Sequence, residues 1–296
     1  MILKDNLAHM EEKLRASEKL QGLPAGTFKV GAPLFIRTFK HVDISKFLQT
    51  PRPDWRKNHL VEQLSDETSG GVVEIWMQTR SGRYELFKTY PVCEMRGIPG
   101  PKRNENDNIT PEGFYEIDPR LLNPNSVCHL SFDVGYPNRY DLNHNVHDRN
   151  TGAGKEIYVH GGCSSAGCLA LTDPAIEEIY SLVEASLNQN EVVGSDGVVK
   201  PYKVPIHSFP FRMTPENKAE FSSSSLRSLA SRSRGEAGSA LDIDAFWENL
   251  RLGYQSFESG RVPPAVTVSD AGTNSIYEFS ESTDRIRKRC DPTRSP

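Results

Sequence analysis

The residues able to do chemistry crowd into one stretch, Glu156-Ile157-Tyr158-Val159-His160-Gly161-Gly162-Cys163-Ser164-Ser165-Ala166-Gly167-Cys168-Leu169-Ala170-Leu171. A short apolar run ends on a histidine, glycines and serines follow, and a cysteine stands eight positions on, just ahead of a second apolar run. A thiol is a nucleophile only as thiolate, and a neighbouring imidazole supplies that activation by taking the proton. Cys168 is therefore the candidate nucleophile and His160 the candidate base. The N–H groups of Cys168 and of its neighbours Gly162, Ser165 and Gly167 are candidate donors to the oxyanion of a tetrahedral intermediate, where losing one donor costs roughly 100- to 1,000-fold in rate. The implied chemistry is acyl transfer through a thioester.

Those groups need elements to hold them. Ile157, Tyr158 and Val159 are β-branched or aromatic, which predicts a buried strand that delivers His160 at its end. Gly161, Gly162 and Gly167 let the chain turn sharply and bring amides close to a reacting atom. Beyond the nucleophile, Asp173 can cap a helix, Pro174 suits its first position, and Glu177 and Glu178 favour its positive end. Ile176, Ile179, Tyr180, Val183 and Leu187 then form one apolar stripe, so this helix should anchor the Cys168 loop to the core.

Spacing alone leaves other readings open. A cysteine between a glycine and an apolar run is often a buried, inert core residue, and a histidine at a strand end is often structural. His160, Cys163 and Cys168 also spell H-x2-C-x4-C, with His144 and His147 upstream, but no second paired-cysteine half completes a zinc site. No metal and no cofactor are expected.

His160-Gly161 followed by Ser165-Ala166-Gly167-Cys168 resembles the YkuD-type L,D-transpeptidase family, and more closely its YafK-like branch, where the loop is compressed to H-G-x-C-x-S-x-G-C. Gly100-Pro101-Lys102, Thr110-Pro111-Glu112-Gly113-Phe114-Tyr115 and Gly135-Tyr136-Pro137-Asn138-Arg139-Tyr140-Asp141 resemble that branch too. The resemblance implies a mostly β, α+β fold: a YkuD-like sandwich or barrel with a helix after the nucleophile loop. It further implies peptidoglycan stem peptides bearing meso-diaminopimelate as substrate and the periplasm as location. Cys168 would be the thiol, His160 the base, and the carbonyl of Gly161 the group that holds the imidazole in its useful tautomer. Lys102, Tyr115, Tyr136, Asn138 and Arg139 are the expected substrate contacts, with Asp141 beside them.

Two positions depart from the wider family. Ala166 stands in place of a second histidine and Ala170 in place of an arginine, which removes a bidentate carboxylate anchor. The YafK-like branch shares these changes, and there the resemblance implies release of a peptidoglycan-linked outer-membrane lipoprotein as much as cross-link formation. The competing readings are a catalytically silent wall-binding module and an exported toxin that attacks a wall with the same chemistry.

The chain has 296 residues, 36% of them apolar and 25% charged, with net charge −4 and pI near 6.1. That balance argues against a nucleic-acid partner. No apolar run approaches the roughly 18 residues that span a bilayer, and Met1 to Met10 show neither the basic nor the apolar region of a signal peptide. If Cys168 stays a free thiol, Cys93, Cys128, Cys163 and Cys290 could pair in three ways, Cys93 with Cys163 among them.

The remaining pattern divides the chain. Residues 1–27 read as a helical arm, with Leu3, Leu7, Met10, Leu14 and Leu20 at helical spacing. Residues 28–213 read as the catalytic domain, interrupted by an inserted loop at 42–71. Within it, Phe28 to Phe39 is a first strand that Pro33 should confine to an edge or a bulge. Val72 to Thr79 and Tyr84 to Val92 flank a polar turn and form a hairpin. Phe114 to Ile117, Val127 to Val134 and Tyr202 to Phe209 are further strands, and His207 on the last reads as packed. Residues 214–240 read as a Ser-rich linker and 241–296 as a C-terminal helix with a frayed tail.

Overall fold

A computed structural model describes residues 2–41, 71–95, 99–103, 105, 107–144, 154–222 and 242–289, and the side chains of all of these except 2–8 and 273. In chain order the elements are α1 (Ile2–Leu20), β1 (Leu34–Phe39), β2 (Val72–Gln78), β3 (Tyr84–Pro91), β4 (Gly113–Ile117), β5 (Leu122–Asn123), β6 (Ser131–Asp133), α2 (Arg139–His144), β7 (Tyr158–His160), β8 (Leu169–Ala170), α3 (Asp173–Gln189), β9 (Asn190–Val193), β10 (Val199–Pro201), β11 (Val204–Phe209), α4 (Pro215–Ser222), α5 (Ile243–Gly260), β12 (Ala265–Val268), β13 (Tyr277–Ser280) and β14 (Arg285–Lys288). The expected α+β class is borne out.

Two sheets matter for the site. The larger runs β3-β2-β1-β11-β4, antiparallel throughout except that β1 and β11 are parallel. The smaller runs β5-β6-β7-β8, with β7 and β8 parallel. Side chains alternate across a strand, and in β1 this separates two cores. Leu34 and Ile36 join Phe132, Val159 and Leu169 of the small sheet and Ile176, Ile179 and Val183 of α3. Phe35 packs with Trp76 and Phe257, and Phe39 with Phe209, Trp247 and Tyr254. The large sheet is therefore covered on both faces, and α5 supplies much of the second cover.

Buried charges on that second face are paired. Arg37 donates to Glu74 and to Glu258, and Arg212 also reaches Glu74. Glu112, fully buried, holds Lys40 at 3.0 Å and accepts from Trp247 Nε1 at 2.8 Å. Removing one partner of such a pair leaves an uncompensated buried charge, so the C-terminal third completes the fold.

The arm docks on the domain. Lys13 reaches Glu178 of α3 at 3.0 Å, and Ser17 donates to Phe87 O at 2.8 Å. Several expectations shift. Pro33 ends before β1 starts, and β1 lies in the middle of the sheet, because every strand position after Pro33 has an N–H to offer. Arg139, Tyr140 and Asp141 of the resembling stretch start the short helix α2. Helix α4 occupies the start of the expected linker. The expected frayed tail instead forms a β12–β13 hairpin and a strand, β14, that pairs with β9; alternation in Ala-Val-Thr-Val and Tyr-Glu-Phe-Ser carried that signal. The expected insertion at 42–71 lies outside the described residues except for Gly71, as does most of the 214–240 linker.

Candidate active site

The small sheet carries the candidate site on one face. Phe132, Val159 and Leu169 point into the core, all 2% exposed or less, so their neighbours point the other way. Ser131, His160 and Ala170 lie in one row. Asp133 is paired with Tyr158 in the adjacent row, and Cys168 extends that row, accepting the Tyr158 N–H at 3.4 Å on Sγ. His160 and Cys168 thus share a face as diagonal neighbours on two parallel strands. Cys168 is half-buried rather than sealed in the interior.

His160 is fixed by its own turn. Its Nδ1 lies 2.6 Å from Gly161 O. A carbonyl oxygen only accepts, so Nδ1 carries the proton and the neutral ring keeps its free lone pair on Nε2. Gly161 is required for space: a Cβ there would stand 2.5 Å from Asp173 Oδ1 and 3.0 Å from Cys128 O. Asp173 is not the helix cap that its position suggests. Thr172 is the N-cap residue of α3, without a side-chain cap bond, and the Asp173 carboxylate instead accepts Gly162 N–H at 2.9 Å.

The nucleophile loop is braced at several points. Cys93 and Cys163 form a disulfide, which realises one of the three open pairings and removes Cys163 from any metal-ligand set. Next to it, Glu94 accepts Ser165 N–H at 2.8 Å and bridges Ala170 in antiparallel register. Ser165 Oγ donates to Cys168 O at 2.8 Å and accepts Gly167 N–H at 3.0 Å. Thr110 Oγ1 donates to Gly167 O at 2.9 Å. The N–H groups of Gly162, Ser165 and Gly167, the expected oxyanion donors, are engaged in bracing in this conformation. The Cys168 N–H meets no acceptor among the described residues.

Burial pushes the Cys168 thiol above its ordinary value, against the lowering effects of the Tyr158 N–H and the Lys102 charge. Its polar contacts are the Tyr158 amide and, at 3.8 Å, Glu156 O. The expected imidazole–thiol hydrogen bond is not made in this conformation.

The expected substrate contacts divide. Lys102 is near enough to act on the thiol and is paired with Asp107 at 2.7 Å. Tyr115 and Tyr136 are buried, and the Tyr115 hydroxyl reaches Glu112 O and Asp141. Asn138 binds Phe114 O and Tyr277 Oη, while Arg139 pairs with Asp270 at the surface. Asn138 and Arg139 thus tie this segment to the C-terminal hairpin, while Tyr115 and Tyr136 pack against each other in the core beneath the small sheet. His144 stacks on Tyr140, and His147 lies outside the described residues. Sequence reasoning passed over Glu94 and Asp133. Glu94 contacts the loop across 71 residues, and Asp133 reads only as an alternating strand position.

A family model for the L,D-transpeptidase catalytic domain, YkuD, matches residues 68–206. "Putative L,D-transpeptidase YafK" from Escherichia coli strain K12 is 33% identical over 186 residues, 63% of this chain and 62% of that protein, and the O157:H7 protein of the same name matches equally. The chain thus spans less than two thirds of the length of these curated relatives. The crystal structure of the helical cell shape determining protein Pgp2 from Campylobacter jejuni aligns over 87% of this chain and 82% of that one at 16% identity. The TM-score of that alignment is 0.35. The resemblance drawn from the loop motif is borne out by the family model and the YafK relatives.

Proposed function

We propose that this chain is a cysteine acyltransferase of the L,D-transpeptidase class, acting on peptidoglycan stem peptides. The observation that carries this reading is the common face of His160 and Cys168, with Nδ1 of the imidazole tied to Gly161 O and the opposite nitrogen left basic. Because burial keeps the thiol protonated, the proton leaves as attack begins rather than beforehand. Rotation about the Cys168 Cα–Cβ bond carries the sulfur from the Tyr158 amide towards the imidazole. His160 Nε2 takes the proton, sulfur bonds the carbonyl carbon at the diaminopimelate centre, and the oxyanion meets the Cys168 N–H. Collapse breaks the C–N bond, and the leaving amine takes the proton from His160. An amine or water then attacks the thioester, giving its proton to the same nitrogen, and the C–S bond breaks as the departing Cys168 sulfur takes that proton back.

A wall substrate assigns the work to the periplasm. Among the described residues, no helix is long and apolar enough to cross a membrane. Incubation with purified sacculi, followed by mass analysis of the products, tests the reading. Released lipoprotein or trimmed tetrapeptides identify hydrolysis, and new diaminopimelate-to-diaminopimelate links or exchanged terminal residues identify transfer. Unchanged sacculi, alongside a folded protein, would leave the silent wall-binding module.

A further inference from the structure

Asp133 is a carboxylate in the row of the thiol that the chemistry above does not use. It pairs with Tyr158 across β6 and β7, and Tyr158 in turn donates its N–H to Cys168 Sγ. Asp133 is half-buried on the same outward face. One oxygen accepts Gly135 N–H at 2.7 Å, and the other meets no donor among the described residues. Its charge is felt by both Tyr158 and Cys168. Burial, with Glu156 adding to it, raises its pKa to about 6, so it is largely ionised at neutral pH. Arg139, which resemblance nominated as a contact, is tied to Asp270, whereas Asp133 is a carboxylate in the strand row of the nucleophile.

Resting on the acyltransferase reading, we infer that Asp133 is a specificity-determining residue that receives a primary aliphatic ammonium group beside Cys168. Two sources share that chemistry. A diamino-acid donor presents a distal ammonium, and the attacking acceptor presents an amine. A carboxylate with one free oxygen satisfies either with a charge-assisted hydrogen bond.

The test uses the full chain as wild type, Asp133→Asn and Asp133→Glu. Asn can still accept the Gly135 N–H, and thermal melting checks folding. In the donor arm, initial rates of Cys168 acylation are compared for L-Ala-γ-D-Glu-meso-diaminopimelyl-D-Ala and the same peptide acetylated on its distal amine. In the acceptor arm, the acyl-enzyme is partitioned between water and added meso-diaminopimelate. Wild type should prefer the charged donor, or amine over water, by roughly tenfold or more, which is the worth of one charge-assisted hydrogen bond. Asp133→Asn should lose that preference and Asp133→Glu should keep part of it, with the responding arm naming the source. A wild type indifferent to charge in both arms, or an Asp133→Asn protein that keeps the wild-type preference, overturns the inference alone. A wild type that forms no adduct with any donor or with a carbapenem overturns the acyltransferase reading, and the inference with it.

Discussion

Two histidines on two sheets show how one side chain is put to opposite uses. His207 sits in the large sheet, edge-on between Phe35 and Phe114, whose rings lie 4.6 Å away on either side. Its Nδ1 meets no hydrogen-bond partner among the described residues, and burial beside Arg37 drives its pKa down to about 3. His160 ends a strand of the small sheet and has one nitrogen bound to a carbonyl. Covering both faces of a sheet turns its polar positions into packing. Leaving one face partly open lets Cys168 and Asp133 stand half-exposed in one row beside His160.

Substitutions at the two histidines should separate these uses. His160→Ala and Cys168→Ala should each reduce turnover on stem peptides by about 1,000-fold or more, with melting temperature little changed for Cys168→Ala. His207→Ala should do the reverse, costing about 3 kcal/mol of stability through the cavity it leaves while turnover stays within a few-fold. Chemical denaturation and steady-state rates on the same preparations check both. A His207→Ala protein that is stable but inactive would break the comparison.

The disulfide sharpens it next. Cys93 and Cys163 are separated by 70 residues, and closing a loop of that length removes about 4 kcal/mol of unfolded-state entropy. Cys93→Ser should therefore lower stability by up to that amount. It should also loosen the small-sheet loop more than the large sheet, seen as faster amide exchange at Ser165 and Gly167 than in β1 and β11.

The most gradual effects are in pH. A histidine whose folded pKa is depressed costs no stability above its unfolded value, near 6.5, because it is then neutral in both states. As pH falls from about 6.5 towards about 3, the unfolded chain binds the proton first, so stability declines by up to about 1.4 kcal/mol per pH unit for that group. His207→Leu should flatten that part of the pH–stability curve. At Cys168 the raised pKa predicts that iodoacetamide alkylation rises with an inflection above the ordinary thiol range. An inflection well below it would indicate a preformed thiolate–imidazolium pair.

How much was legible followed the range of the interactions. The β2–β3 hairpin, the helix after the nucleophile and the Gly161–His160 tautomer lock depend on neighbours in sequence, and spacing or motif revealed them. Thr110, Glu112 and Gly100 stood out only through resemblance. Their contacts, Thr110 to Gly167 O, Glu112 to Trp247 and to the Gly100 amide, explain why those types occur there. Hidden from sequence were pairings over long separations, such as Glu94 with Ser165 and β14 with β9. The two-residue strands β5 and β8 are too short to show a period. Tyr115, Asn138 and Arg139 stood out through the resemblance, and the partners they hold within the protein lie too far along the chain for spacing to show.

The most direct test of the acyl-enzyme is intact-protein mass spectrometry after exposure to an acylating β-lactam of the carbapenem type, with peptide mapping of the modified residue. A single adduct on Cys168, absent in Cys168→Ala and at least 100-fold slower in His160→Ala, is the result expected. An unmodified wild-type protein, or an adduct on Cys128 formed equally well without His160, would contradict it.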